Sequence, residues 1–164
     1  MFGKKKQALP PFTLQVLTTE YLIEGTVEGD TSLYLTGHDT DVPPLHLTSV
    51  QIQTTGPVDI PTQSCDQLVV IGCNTVALIP RTDVSQMAEY EYWTLSKKPL
   101  LGVLHVGPYV MQGKLMLFDD NHFERQIPIF DVHIASRVPG ARLGELHAPF
   151  ALVNFHWLYG YEPL

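Results

Sequence analysis

Two stretches of the chain share the same irregular alternation of apolar residues. In "LHLTSVQI" (Leu45–Ile52) the apolar positions change parity in the middle of the stretch, after Leu47. In "IPIFDVHI" (Ile127–Ile134), 82 positions later, they change parity at the same point, after Ile129. Successive side chains of a strand point to opposite faces, so a change of parity predicts a bulge or turn there. This shared irregularity restricts the fold more than any single motif does.

The similarity extends on both sides of these stretches. "TEYLIEGTV" (Thr19–Val27) and "GPYVMQGKL" (Gly107–Leu115) align at an offset of 88 positions, each with a Tyr and a Gly at matching places. Cys65–Ile79 aligns with His147–Tyr161 at an offset of 82. A single length difference of six residues, between Val27 and Leu45, would explain both offsets. We therefore predict that one unit occurs twice in the chain. The alternative is one irregular β domain whose halves are similar by chance.

Each copy has the pattern of short strands. The 13 Pro and 12 Gly of the chain indicate many turns, and four or five short strands in so few residues favour a small, strongly bent barrel. The predicted fold is mainly β, with two tandem small five-stranded barrels joined by one α-helix. A flexible basic tail (1–11) precedes the first barrel (12–81), and the second barrel covers 99–164. The glycines predicted to have a structural role are Gly25 and Gly113, where a strand bends, and Gly72, in a turn.

The segment 82–98 between the two copies is predicted to be the linker helix. Asp83 is suited to be its N-cap, and Val84, Met87, Tyr92 and Leu95 keep helical spacing. Lys97 and Lys98 suit the negative end of the helix dipole, and Pro99 ends the helix. We expect about three turns, with Met87, Tyr92 and Trp93 packing on a barrel.

Composition excludes several classes of protein. The net charge is −7 and the ten Lys and Arg residues are scattered, which argues against a broad nucleic-acid interface. No apolar run is long enough to span a bilayer, and "MFGKKKQALPPF" lacks the apolar region of a signal peptide. Two cysteines, Cys65 and Cys73, do not make a disulfide framework. We expect a cytoplasmic protein without cofactors or an identifiable small-molecule ligand.

The residues of both copies resemble the Sm-like (SH3-like) small β-barrels. In the second copy Gly113, Leu115, Phe118 and Asp119 match the first Sm motif, and Phe123 stands where the motif has Asn. The first copy matches this motif at Gly25 and Val27 only. The second motif, Ile-Arg-Gly, has Ile71 in place of its Arg in the first copy, and "LVN" (Leu152–Asn154) in the second copy has neither Arg nor Gly. The strands "IEGTV", "LHLTSVQI" and "APFALVNFHWLYGYEP" also resemble a group of uncharacterised bacterial proteins that has no established function.

Sm-like proteins hold RNA bases by stacking and with the Asn and Arg of these motifs, and both polar readers are replaced here. The resemblance together with the acidic balance makes nucleic acid an unexpected partner. Exposed strand edges and loops, which can bind other proteins or further copies, remain as the expected binding surfaces.

Two loops carry candidate metal ligands. The first has His38, Asp39 and Asp41, and the second has Asp119, Asp120 and His122. Asp, Asn and Gly are also the ordinary residues of turns, and neither loop has the spacing of a zinc site, so solvated loops are the favoured interpretation and no metal is assigned. Cys73 could act as a nucleophile only beside a base such as His156, and the pair Asp131 and His133 is read as an exposed strand face. No catalytic residue is predicted.

Three functions remain open from the sequence. The first is a non-enzymatic binding or assembly module that acts through contacts with a protein partner or with itself. The second is an Sm-like nucleic-acid-binding protein that has lost its base-reading residues. The third is a small metal-dependent enzyme that uses the Asp and His loops.

Overall fold

The computed structural model describes residues 9–33, 44–71, 74–95, 97–118, 123 and 125–164. Within these ranges the chain forms ten β-strands and very little helix, so the predicted mainly β fold is confirmed. The strands are β1 (Phe12–Thr18), β2 (Tyr21–Val27), β3 (Leu45–Thr54), β4 (Gln63–Val70), β5 (Thr75–Arg81), β6 (Lys97–Val106), β7 (Tyr109–Phe118), β8 (Gln126–Ser136), β9 (Leu146–Asn154) and β10 (Leu158–Pro163).

All ten strands belong to one antiparallel sheet with the order β10-β6-β7-β8-β9-β5-β1-β2-β3-β4. The structure does not show the predicted two tandem five-stranded barrels joined by one α-helix, because strands of both halves of the chain form this one sheet. The sheet is continuous because β5 pairs with β9, where Ala77 lies opposite Val153 and Leu78 opposite Leu152. The six residues from Thr75 to Pro80 are all buried. A strand that is apolar on both faces is stable only with cover on both sides and is a liability at an edge, which explains why β5 lies inside the sheet.

The two halves of the sheet have the same strand order. In the first half β5 lies beside β1 and is followed by β2, β3 and β4; in the second half β10 lies beside β6 and is followed by β7, β8 and β9. Each strand of the first half therefore has a counterpart five strands later in the chain. We use the term corresponding residues for residues that occupy equal positions in these two sets of pairings.

The change of parity in the sequence marks a bulge in both halves. Ser49 and Asp131 have φ angles of 51° and 49°, and they are the non-glycine residues of the described chain with positive φ. The pairing of β2 with β3 shifts register between Glu24 and Thr26, and that of β7 with β8 shifts between Gln112 and Lys114. The bulges predicted from the two stretches are thus confirmed.

The alignment of the last two strands of each half differs by one residue from the alignment made on sequence. Leu45 pairs with Val70, and its counterpart Ile127 pairs with Val153, so β4 and β9 correspond at an offset of 83 positions. The pairing of β5 with β1 skips Val76, and the pairing of β10 with β6 skips Tyr159. These two residues are also 83 positions apart, so β5 and β10 correspond at the same offset as β4 and β9. The loop before β9 is therefore one residue longer than the loop before β4, which apolar patterns alone did not reveal.

Two apolar clusters fill the interior, and strands of both halves contribute to each. The first-half cluster, built mainly from β1 to β5, also contains Phe150 and Leu152 of β9. The second-half cluster, built mainly from β6 to β9, also contains Leu17 of β1 together with Val76, Ala77 and Ile79 of β5. Successive residues from Ala77 to Ile79 of β5 and from Phe150 to Val153 of β9 thus enter different clusters, and the two halves share their cores.

The segment between the halves contains less helix than predicted. A single 3₁₀ turn, Val84–Gln86, is capped by the side chain of Asp83, and the α-helix α1 covers only Tyr90–Thr94. Aromatic and β-branched residues are weak helix formers, and α1 consists almost entirely of them. Lys97, Lys98 and Pro99 lie in β6, where they pair with β7, and do not end a helix. Met87 and Trp93 are buried as predicted, whereas Tyr92 is exposed. The helices of the described chain are not long and apolar enough to cross a membrane.

Candidate functional site

Most of the residues singled out in the sequence lie outside the described part of the chain. These are the six candidate metal ligands His38, Asp39, Asp41, Asp119, Asp120 and His122, together with Gly72 and Cys73. A metal site in the two loops therefore stays untested. Within the described ranges, no group of three or more His, Cys, Asp or Glu side chains is placed to hold a metal ion.

Gly25 and Gly113 lie in β2 and β7, beside the bulges. A Cβ atom on Gly25 would come within 2.9 Å of the Leu47 Cβ, and one on Gly113 within 2.7 Å of the Phe130 carbonyl oxygen. Real Cβ atoms do not approach other heavy atoms so closely, so both positions require glycine. The role of these two residues is to let the bulged strand lie against its neighbour.

The histidines in the described part of the second half make ring contacts. His133 and His147 face each other across β8 and β9, with ring centroids 4.3 Å apart in a stacked arrangement. His133 and Asp131 are both exposed, as expected for a solvated strand face. His156 follows the buried Asn154, whose side chain accepts a hydrogen bond from the His156 backbone N–H, and its ring meets that of Trp157 edge to face.

The junction between β5 and β9 is held by buried polar contacts in addition to apolar ones. The hydroxyl of Tyr109, which is completely buried, donates a hydrogen bond to the Thr18 carbonyl oxygen (2.6 Å) and shares another with the Thr55 hydroxyl (2.7 Å). Desolvation raises the pKa of Tyr109 to about 12. On the other side of the pairing the Asn154 amide donates to the Thr75 carbonyl oxygen at 2.9 Å. These bonds tie the second half to β1, to β5 and to Thr55, the residue that follows β3.

At one end of the sheet lies β4. Among the described residues no strand pairs with its outer edge, and its partner is β3 alone. Val69 is 51% exposed, and Ile71, immediately after the strand, is 66% exposed. Their side chains lie on the outer face, since Val70 between them is buried in the first-half cluster. The sheet thus ends in an edge strand with two exposed apolar side chains at its C-terminal end.

At the other end lies β10, which within the described ranges pairs only with β6. Tyr159 is 62% exposed, and its hydroxyl accepts a hydrogen bond from Arg137 at 2.8 Å. Arg137 also contacts His105, whose Nε2 lies 2.8 Å from the Glu162 carboxylate. Leu101 and Leu164 are exposed as well. This edge combines apolar surface with a row of hydrogen-bonded polar side chains.

Strand edges are the binding surfaces expected from the sequence, and the structure places them at β4 and β10. A usable signal was present in the apolar runs. "VALI" in β5 and "FALV" in β9 are apolar at consecutive positions, which is typical of strands buried on both faces. "CDQLVV" in β4 and "LYGYEP" in β10 interrupt that pattern with polar residues, as edge strands do.

Comparison with known proteins gives no relative. No protein-family model, no curated protein and no solved structure matches the chain. The Sm-like resemblance seen in the sequence therefore stays a prediction.

Proposed function

We propose that the chain is a non-enzymatic binding and assembly module that acts through protein–protein contacts made by the two end strands of its sheet. The observation that carries this proposal is the pair of strand edges, β4 and β10, each with exposed apolar side chains beside it. Unpaired backbone groups of an edge strand can bind an extended segment as an additional strand, and apolar side chains beside the edge add affinity.

The exposures of Val69, Ile71 and Tyr159 support a binding role for these edges. Proteins usually protect edge strands with charges, prolines or short length. β4 has one such charge, Asp66, and β10 has Glu162 and Pro163. However, β4 also exposes the side chain of Val69, and β10 also exposes that of Tyr159. Such a surface is suited to a specific partner that covers it.

We also propose that the chain contains two copies of one five-stranded, Sm-like unit. The equal strand orders, the bulges at Ser49 and Asp131 and the residues skipped at Val76 and Tyr159 support a duplication. Binding of RNA is the weaker alternative, because the base-reading positions identified from the resemblance carry Ile71 and Phe123 and the net charge is −7. No observation favours the metal-dependent enzyme.

The proposal can be tested by photo-crosslinking in living cells. A photoreactive phenylalanine analogue is placed at position 69 or 159, and at the control position 95, where Leu95 is also exposed but lies outside β4 and β10. We expect protein adducts from positions 69 and 159 at least tenfold above those from position 95. Adducts with nucleic acid, or equal yields at all three positions, would contradict the proposal.

A further inference from the structure

We infer that a cluster of polar side chains beside β10 is a latch that opens when His105 is protonated. In the open latch Arg137 leaves His105, and Tyr159 loses the contact that holds it at the edge of the sheet. We use the term β10 latch for His105, Arg137, Tyr159 and Glu162. Regulation of the β10 edge by pH rests on the proposed function, which makes that edge a binding surface.

The β10 latch joins side chains from three parts of the second half. His105 lies in β6, Tyr159 and Glu162 lie in β10, and Arg137 directly follows β8. The Arg137 guanidinium donates a hydrogen bond to the Tyr159 hydroxyl at 2.8 Å with one nitrogen and contacts the His105 Nδ1 with another. It also lies over the Tyr159 ring, 5.9 Å from its centroid. Arg137 therefore holds the Tyr159 side chain beside the His105 ring.

The contacts of His105 determine its tautomer. An arginine side chain has donors and no acceptor, so the Nδ1 of His105 accepts from Arg137 and carries no proton. The ring proton is then on Nε2, which lies 2.8 Å from the Glu162 carboxylate and donates to it. Both ring nitrogens are engaged in this form, and neither lone pair is left for general base catalysis. The geometry thus suits a switch and not a catalytic dyad.

Protonation changes one of these two contacts. Imidazole side chains change their charge between pH 5 and 8. A protonated His105 keeps its bond to Glu162, but its Nδ1 now carries a hydrogen that faces the N–H groups of Arg137. Two donors cannot bond to each other, and the two positive charges repel. Arg137 is exposed and can turn into solvent. Protonation of His105 and its contact with Arg137 therefore exclude each other.

The other neighbours of His105 do not alter this result. In the described part of the chain, the charged or titratable side chains placed against the ring are Glu162 and Tyr159 from β10 and Arg137 from the end of β8. On the side of β7 the residue paired with His105 is Val110, which carries no charge. Arg137 is thus the neighbour that a second ring proton displaces.

The release of Arg137 affects the β10 edge through Tyr159. This residue is skipped by the pairing of β10 with β6, and its side chain is 62% exposed. When the latch is closed, Arg137 restricts the ring to one position; when it is open, the ring regains its rotamers. A partner at this edge must then immobilise the ring itself. We expect binding at β10 to weaken about three- to tenfold between pH 8 and pH 6.

The first half has no counterpart of the β10 latch. Its corresponding residues carry no titratable side chain, and they are Leu17, Thr55, Val76 and Ile79. The latch therefore does not belong to the pattern that the two halves share, and it acts on one end of the sheet.

Nuclear magnetic resonance of the purified chain tests the latch without a partner. ¹⁵N labelling of the histidines reports which ring nitrogen carries the proton. ¹³C labelling of the tyrosine rings reports the surroundings of Tyr159, whose signal is assigned by its loss in Tyr159→Phe. We expect the His105 proton on Nε2 at pH 8, and the Tyr159 signal should shift with the same midpoint as the His105 ring as the pH falls to 5. A proton on Nδ1 at pH 8, or a Tyr159 signal that does not follow His105, would overturn the inference.

Two variants serve as matched controls for this titration. His105→Asn places an amide oxygen near the position of Nδ1, where it accepts from Arg137 at every pH. Its Tyr159 signal should not shift between pH 8 and pH 5. Arg137→Met removes the guanidinium, so its Tyr159 signal at pH 8 should match that of the open latch. A Tyr159 signal that still titrates in His105→Asn, with circular dichroism showing a folded chain, would assign the change to another group and refute the latch.

Photo-crosslinking at two pH values tests the consequence for binding. The photoreactive analogue is placed at position 164, where Leu164 is exposed directly after β10 and Tyr159 stays intact. In an extract of the native cells, protein adducts of the otherwise unchanged chain should fall about three- to tenfold between pH 8 and pH 6. Adducts of the same chain with His105→Asn should not fall.

Failure of the inference and failure of the proposed function give different results. Protein adducts that are equal at both pH values leave β10 as a binding edge and overturn its regulation. Absence of protein adducts at both pH values contradicts the proposed function for this edge, and the resonance measurements then decide the latch by themselves.

Discussion

Ser49 and Asp131 hold left-handed backbone conformations at the centre of the two bulges. This conformation costs a residue with a Cβ atom about 1–2 kcal/mol, and glycine adopts it readily. The neighbour Thr48 is equally exposed but lies at a regularly paired position of β3. The two positions therefore allow a matched comparison.

We expect Ser49→Gly to leave the free energy of unfolding unchanged or to raise it by up to about 1 kcal/mol, since the relief of strain offsets the entropy of glycine. Thr48→Gly should lower it by about 1 kcal/mol. Urea denaturation of the two variants measures the difference. Equal losses in both would show that the left-handed conformation at position 49 carries no strain.

Tyr109 makes its two hydrogen bonds across the junction, and both its partners are buried or nearly so. Tyr109→Phe removes the hydroxyl that bonds to the Thr18 carbonyl oxygen and the Thr55 hydroxyl, and both groups are then left buried without this hydrogen bond. We therefore expect the free energy of unfolding to fall by about 1–3 kcal/mol. Tyr21→Phe, at the corresponding half-buried position, should cost less than about 0.5 kcal/mol at a concentration where the chain is monomeric. Denaturation at neutral pH compares the two variants.

The raised pKa of Tyr109 also predicts a dependence of stability on pH. The pKa is about 12 in the folded chain and about 10 in an unfolded chain, so above pH 10 the unfolded state loses a proton that the folded state retains. Stability should therefore be constant with respect to this group below pH 10 and fall between pH 10 and 12, by on the order of 1–2 kcal/mol. Tyr109→Phe should remove this part of the alkaline loss. An identical alkaline slope in the variant would contradict the assignment.

Among the secondary-structure elements, the strands follow from the sequence and the linker helix does not. Alternation of Tyr21, Ile23, Gly25 and Val27 predicted β2, and the change of parity at Ser49 predicted the bulge of β3, because both depend on neighbouring residues. Residues 84–95 have helical spacing but form only a 3₁₀ turn and a short helix. The pairing of Lys97–Pro99 with β7 and the packing of Trp93 determine the path of that segment. Local periodicity does not contain those long-range contacts.

Trp93 anchors this short segment. Its ring lies 4.9 Å from that of Phe150, which in turn meets Phe130 edge to face at 5.0 Å. It is buried in the first-half cluster, together with Phe150 of β9. We expect Trp93→Ala to lower the free energy of unfolding by about 3–5 kcal/mol. Leu95→Ala, two residues later and exposed, should change it by less than about 0.5 kcal/mol. Similar small effects of both variants in thermal denaturation would show that the segment is not part of the shared core.

At the scale of the whole molecule, the junction of β5 with β9 could not be predicted from the sequence. It joins Ala77 and Leu78 to residues about half the chain away. The similarity of the two halves was recognisable because their irregularities recur, whereas the pairing that joins the halves leaves no periodic trace in the sequence. The candidate edges depend on that junction, since β4 and β10 are defined only once β5 and β9 are paired.

Because β5 and β9 each contribute to both clusters, the two halves should unfold as one cooperative unit. Native-state hydrogen exchange measures this directly: the most protected amides of β2 and β3, in the first half, and of β7 and β8, in the second, should report the same free energy of opening. Leu152→Ala removes a completely buried side chain at the junction and should lower both values equally, by about 2–4 kcal/mol. Val69→Ala, the corresponding change at the exposed end strand, should lower neither by more than about 0.5 kcal/mol in the monomer. A loss confined to one half in Leu152→Ala would show that the junction joins two independently stable units.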